Sequence, residues 1–257
     1  MDQKIGIIIP ARDGSSRFPH KPLAKICGVP MLERMWKLAN QLDVPVIITS
    51  ESKHVLESAR RFGVPDVSLV LTGNCRNGTE RVFEACRSRQ FESVINLQGD
   101  AVLLPPWVIA DLLAWMRTHA GEYATVAVPM DWEVFQRFEK EKVSGRASGT
   151  LVVCNMNHQA MYFSKNMIPS VRNKPEKSPY LRHIGIYGYR LSGLKKYMDL
   201  APTPLEEIEG LEQLRLLEHG YPLHVVMSSM RGRTMWSIDY PEDIAVAERI
   251  LQQEGEL

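Results

Sequence analysis

The sequence predicts an α/β protein: an open, mostly parallel sheet with helices on both faces and an antiparallel insertion in its second half. Three observations lead there. Residues 4–10 (KIGIIIP) form a continuous apolar, β-branched run, the pattern of a strand buried on both faces of a parallel sheet. Strand-like and helix-like segments then alternate at short spacing, as in βαβ units whose right-handed crossovers place helices on both faces. After about Asp131 the alternation stops, and strand-like segments follow without long helices between them.

Taken in order, residues 11–25 read as a polar loop after the first strand. Met31, Leu32, Met35, Leu38, Ala39 and Leu42 share one face of a helix over 31–42. Residues 44–49 (VPVIIT) are the next strand, and Ser52 caps a helix running to about Arg61. A short strand at 67–71, a helix at 79–88 and an apolar strand at 93–97 follow, the last ending in Gln98-Gly99-Asp100. Pro105-Pro106 open a helix to about His119, because proline is well tolerated in a first turn. Residues 124–128 are a further strand.

The antiparallel section comprises strands at 149–154, 159–164 and 183–190. Residues 155–158 (NMNH) read as a hairpin turn, and 165–180 as a polar, proline-containing loop. This section, about 131–190, is expected to cover the site, to make a dimer contact, or both. A helix at 208–218, strands at 222–226 and 234–238, and a helix from Pro241 to Gln252 complete a single domain over 1–257.

Composition bounds the function. Hydrophobic residues make up 44% and charged residues 24%, the balance of an ordinary globular protein. A net charge of +1 supplies no global field for nucleic acid or an anionic membrane, so anion binding needs a local cluster of basic residues. No apolar stretch approaches the ~20 residues that span a bilayer. The four cysteines are widely spaced with no C-x-x-C pair, which points to reduced thiols in a cytoplasmic protein.

Ligands of open α/β sheets bind at the carboxyl ends of the strands. Three segments lie there. The loop after the first strand carries Arg12, Arg17 and Lys21 among small residues that let backbone N–H groups face a ligand, the makings of a polyphosphate cradle. Gln98-Gly99-Asp100 ends one strand and Asp239 ends another. Taken alone, Asp239 reads as a cap for the helix at Pro241. Two carboxylates at one sheet edge, facing a cationic loop, suit Mg²⁺, which takes few protein carboxylates and fills its other sites with phosphate oxygens and water. The chain has neither G-x-x-x-x-G-K-[ST] nor G-x-G-x-x-G, which disfavours a P-loop enzyme and a dinucleotide dehydrogenase. On spacing alone His183 is a core or turn histidine, Glu212-Gln213 a solvated helix face, and residues 78–81 (GTER) a helix start.

Together these segments are similar to the CMP-Kdo synthetases, the 3-deoxy-manno-octulosonate cytidylyltransferases. The resemblance runs nearly end to end: IIPARDGSSRFPHKPLAKICGVPML (8–32), NGTERV (77–82), NLQGD (96–100), AMYFSKNMIP (160–169), RHIGIYGYR (182–190), LEQLRLLEHGYPLHV (211–225) and IDYPEDI (238–244). It implies a Rossmann-like sheet of nucleotidyltransferase type with an antiparallel dimerisation section, a cytoplasmic homodimer, and a role in lipopolysaccharide synthesis. It implies that Arg12 and Lys21 hold the triphosphate of CTP with Arg17 nearby. Thr79, Arg81 and Gln98 would bind the nucleotide, Asp100 and Asp239 would ligate Mg²⁺, and Arg12, Lys21, Asp100 and Asp239 would form the catalytic set. His183, Tyr187, Glu212 and Gln213 would line the pocket for a small acidic acceptor.

The chain also departs from the family pattern. Ala101 and Val102 follow Asp100 where QGDEP is usual, Thr49-Ser50-Glu51 stands where the family has ATDD, and GTDR has become Gly78-Thr79-Glu80-Arg81. The acceptor is therefore Kdo or another small acid, such as 8-amino-Kdo or a phosphonate. The expected chemistry is direct displacement at the α-phosphorus of CTP, with no obvious covalent nucleophile. A metal-dependent glycosyltransferase is the other enzyme class weighed. It would normally carry D-x-D, and this chain has Asp100-Ala101-Val102.

Overall fold

The computed structural model describes residues 4–14, 18–87, 89–143 and 149–256. Strand β1 (Ile5–Pro10) is buried along its whole length, as its uninterrupted apolar run requires. A loop and a short 3₁₀ turn (Lys21–Leu23) lead to a small hairpin, β2 (Lys25–Ile26) and β3 (Val29–Pro30). Helix α1 (Met31–Ala39) follows, then β4 (Val46–Ser50), α2 (Lys53–Arg61), β5 (Leu69–Leu71), α3 (Gly78–Cys86) and β6 (Ser93–Leu97). The chain continues through α4 (Pro106–Thr118), β7 (Tyr123–Pro129), α5 (Trp132–Val143), β8 (Leu151–Cys154), β9 (Ala160–Ser164) and β10 (Leu181–Arg190). It ends with α6 (Leu191–Asp199), α7 (Pro204–Glu209), α8 (Leu214–Glu218), β11 (His224–Met227) and α9 (Asp243–Glu254).

The main sheet has the order β11-β7-β10-β6-β1-β4-β5, with β8 and β9 continuing from β10. Pairings β1–β4, β1–β6, β4–β5 and β7–β11 are parallel. Separate apolar cores flank the two faces, one built with α1, α2 and α4, the other with α3, α6 and α8. This is the expected α/β architecture. The last strand of the antiparallel section is not peripheral: β10 lies between β6 and β7 and pairs antiparallel with both.

Several local expectations are corrected. Residues 234–238 are not a strand. Their backbone has no ladder partner, and Ile238 N–H instead donates to the Asp100 carbonyl at 3.4 Å. The helix expected over 208–218 is two, because Gly210 caps α7 in the left-handed conformation (φ 63, ψ 44), a geometry that costs glycine no Cβ clash. Glu212 and Gln213 thus sit in the bend between α7 and α8, not on a solvated helix face. Helices α5 and α6 occupy stretches for which the sequence predicts no element. α5 forms because Phe135 and Phe138 lie on one face and pack with Leu151 and Tyr180 into a small core of their own. Ser52 caps α2 as expected, its hydroxyl accepting from Val55 N–H.

Candidate functional site

β1 and β6 are parallel neighbours, so their carboxyl ends open side by side. Between them lies a cleft of about 290 Å³ whose lining includes Arg12, Gly14, Lys21, Gln98, Gly99 and Asp100. A Cβ on Gly99 would come 3.3 Å from the Pro10 carbonyl, so glycine lets the β6 exit turn approach the end of β1. Lys21 Nζ lies 2.8 Å from Asp100 Oδ2. Arg12 is exposed at the rim. Arg17 lies outside the described residues.

Asp239 follows a segment that is no strand and is not among the residues lining the cleft; its backbone is brought beside the β6 exit by its neighbour. The bond from Ile238 N–H to the Asp100 carbonyl fastens the two carboxylate-bearing segments together. α9 supports this strap at both ends. The Asp243 carboxylate accepts from the N–H groups of Asp239 and Tyr240 at 2.8 Å each and from Trp236 Nε1 at 3.2 Å. Glu254 accepts from Thr234 N–H at 3.1 Å, and Arg233 donates to the Glu254 and Gly255 carbonyls. The cap expected of Asp239 is corrected by the start of α9, which begins at Asp243 with Glu242 in the N-cap position. Among the described residues no group of three or more His, Cys, Asp or Glu could hold a metal. A pair of carboxylates beside a cationic loop fits Mg²⁺ held largely by substrate phosphate and water, and does not fit a cation that needs an all-protein cage.

Beyond the cleft, Arg81 is 3% exposed and lies 2.8 Å from Glu51, while Thr79 Oγ1 donates to Glu212 Oε2 at 2.8 Å. The bond from Thr79 ties the start of α3 to the bend before α8. Glu212 thereby joins the expected nucleotide residues to the expected acceptor residues. Burial pushes its carboxyl above the ordinary range, a shift opposed by the Thr79 bond.

The acceptor residues converge. β10 carries His183 and Tyr187 on either side of a bulge between Ile184 and Tyr187. Tyr187 donates to Gln213 Oε1 at 3.0 Å, and the His183 and Tyr187 rings lie 5.6 Å apart. His183 is buried, which lowers its pKa to about 3. Thr125 Oγ1 spends its proton on the Ile186 carbonyl at 2.8 Å, which leaves His183 Nε2 as donor in their 2.9 Å contact. Burial thus favours a neutral imidazole, oriented by its contact with Thr125. Behind the bend, buried Arg215 grips Glu206 of α7 (Nε to Oε2, 2.7 Å), fixing the two short helices that present Glu212 and Gln213.

Sequence reasoning missed three residues. Asn96 is fully buried, pairs in register with Tyr187 and accepts from Gln98 Nε2 at 3.4 Å. Its Nδ2, like Gln213 Nε2, is buried without a partner. The signal was a lone amide inside the apolar run SVINL. Glu51 and Asp243 carried fainter signals, an acid just past a strand and one just inside a helix.

Comparison with known proteins adds the following. The cytidylyltransferase family model matches residues 6–230. A 3-deoxy-manno-octulosonate cytidylyltransferase of Maricaulis maris is 44% identical over 97% of this chain and 98% of its own. One from Zea mays is 35% identical over 95% of this chain and 80% of its own. Among solved structures, a CMP:2-keto-3-deoxy-manno-octonic acid synthetase complexed with CTP superposes with a TM-score of 0.83 at 30% identity, covering 98% of this chain and 100% of the other.

Proposed function

The chain belongs to the cytidylyltransferase family, and from that membership we propose that it couples CTP to Kdo, giving CMP-Kdo and pyrophosphate. The observation that carries this reading is the Lys21–Asp100 pair spanning the carboxyl ends of β1 and β6 over a cleft of about 290 Å³. The near full-length likeness to a Kdo-activating relative supplies the substrate.

The anomeric hydroxyl of Kdo gives up its proton to solvent and forms the new P–O bond at the α-phosphorus while the bond to the β-phosphate oxygen breaks and pyrophosphate leaves. Lys21 acts as a point charge on phosphate oxygens and Arg12 as a planar multi-donor clamp. Mg²⁺, held by Asp100 and Asp239, would neutralise charge on the phosphates. Tyr187, Gln213 and neutral His183 orient the sugar acid, and the orphaned amides of Gln213 and Asn96 supply donors for its oxygens.

The assembled enzyme is a homodimer in the bacterial cytoplasm supplying lipopolysaccharide synthesis. Support for the dimer comes from apolar side chains exposed around the β8–β9 hairpin and α7: Met156 at 97%, Met161 at 64% and Ile208 at 79%. β9 and α7 are joined there by Ser164 donating to Glu209. No helix among the described residues is long and apolar enough to cross a membrane.

The test is pyrophosphate release from each nucleoside triphosphate with Kdo, 8-amino-Kdo, a small phosphonate and a sugar 1-phosphate. Release with CTP and Kdo is expected. Turnover of only the phosphonate or the amino sugar would keep the chemistry and overturn the acceptor, and release of free nucleotide would overturn the reaction.

A further inference from the structure

Glu51 follows the last residue of β4 and has no assigned role. Its Oε1 accepts from the N–H of Asp13 at 3.0 Å and of Gly14 at 3.4 Å. Its Oε2 lies 2.8 Å from Arg81 Nη2. Arg81 is itself anchored: Nη1 donates to Thr72 Oγ1 at 2.6 Å and to the Gly73 carbonyl at 3.4 Å. One carboxylate therefore links the loop after β1 to α3 and to the exit of β5.

The direction of this link matters. The cleft is lined by Arg12, Gly14 and Lys21 of that loop, and by neither Glu51 nor Arg81. Glu51 thus meets the loop backbone from outside the cleft, between two residues that face into it. Bonds from N–H to a carboxylate are charge-assisted and stronger than neutral ones. The Arg81 charge, buried at 3% exposure, needs its partner, since an unpaired buried charge is strongly unfavourable. The brace therefore rests on charge pairing between Arg81 and Glu51 and on the Glu51 bonds to the loop backbone. A loop that must present two cations to a polyphosphate loses binding steeply when its backbone drifts.

We propose that Glu51, braced by Arg81, is a positioning residue for CTP: it fixes the backbone at Asp13 and Gly14 so that Arg12 and Lys21 face the triphosphate. The proposal rests on the assignment of this cleft to CTP.

The test compares Glu51→Gln, Glu51→Ala, Arg81→Met and the double variant Glu51→Ala/Arg81→Met. CTP affinity is read by calorimetry, KM and kcat by pyrophosphate release, and stability by thermal unfolding. Glu51→Ala is expected to weaken CTP binding by about 10–100-fold, a misplacement effect. The KM for the acceptor should stay unchanged. Glu51→Gln keeps an oxygen for the two N–H groups and loses the charge facing Arg81, so it should fall between wild type and Glu51→Ala. The double variant, which no longer buries a lone charge, should recover stability over Glu51→Ala and keep its CTP defect, with the two changes non-additive. Because Arg81 is itself an expected nucleotide residue, Arg81→Met alone, which keeps Glu51 on the loop, must bind CTP more tightly than Glu51→Ala. A double variant that recovers both stability and CTP affinity would show Glu51 to be purely structural and overturn the proposal. Wild-type protein that binds CTP no better than other triphosphates would overturn the cleft assignment as well. Normal wild-type binding matched by Glu51→Ala would overturn only the role of Glu51.

Discussion

Lys21 and Asp100 form an ion pair at 2.8 Å across the mouth of the cleft, joining the loop after β1 to the end of β6. On the proposed assignment, a triphosphate at Lys21 and a cation at Asp100 would replace this one contact by two. Both side chains are partly exposed, at 17% and 32%, so the pair itself contributes only about 0–1 kcal/mol of stability. Lys21→Met and Asp100→Asn should therefore melt near the wild-type temperature. Each should lose about 10²–10³ in kcat/KM for CTP, the scale of removing one preorganised charge-stabilising group. Steady-state kinetics with thermal melts checks both halves, and near-wild-type turnover by either variant would remove that residue from the site.

Asp243 gathers N–H groups from Asp239, Tyr240 and Trp236. Asp243→Ala releases the strap that carries Asp239. Supporting partners of this kind typically account for 10–100-fold in metal affinity or activity. The expected result is a higher Mg²⁺ requirement with little change in KM for CTP. Trp236 fluorescence should shift, because its indole N–H loses its acceptor. An unchanged Mg²⁺ dependence would show that Asp239 needs no such support.

Two buried groups respond oppositely to pH. His183 is held neutral, its pKa lowered to about 3 by burial. Its contribution to stability is present above the ordinary imidazole pKa of about 6.5 and is lost as pH falls toward its folded value. His183→Gln should flatten that acid-side slope. Glu212 is raised by burial, so its contribution is present below the ordinary carboxyl range and is lost as pH rises through the folded value. Glu212→Gln should match or exceed wild-type stability at neutral pH while kcat/KM for the acceptor drops. Chemical denaturation across pH, with acceptor kinetics, tests both signs.

Arg215 and Glu206 are both almost wholly buried and bonded to each other. Removing one partner of such a pair leaves a buried charge and costs about 3–5 kcal/mol. Arg215→Ala should lower stability by that amount. It should also impair acceptor binding more than CTP binding, since the pair positions Glu212 and Gln213. Equal loss for both substrates would point to global destabilisation instead.

What could be read from sequence follows from how local each feature is. β6 spans the predicted residues 93–97, and Ser52 caps α2, because one apolar run and one hydroxyl decide them. Residues 234–238 read as a strand, yet pairing is a long-range property, and that segment bonds to Asp100 and α9 instead. The helix over 208–218 looked continuous because its apolar pattern continues through Gly210, whose left-handed conformation breaks it. Lys21 and Asp100 were legible as a charge pattern at strand ends. Glu51, Asn96 and Asp243 were not, since what marks them is backbone N–H groups and neighbours that only the fold brings near.

β10 lies between two strands made long before it. β6 and β7 are not neighbours in the sheet; both are complete in the chain while the strand that joins them is still to come. Emerging from the ribosome amino end first, the polypeptide presents two open sheet edges that can recruit a foreign strand until β10 is synthesised. The elements around Lys21 and Asp100 can assemble in that interval, whereas His183 and Tyr187 arrive on the closing strand itself. β10 thus joins the two halves of the sheet and brings His183 and Tyr187 with it, and only afterwards do Glu212, Gln213 and β11, the last neighbour of β7, follow.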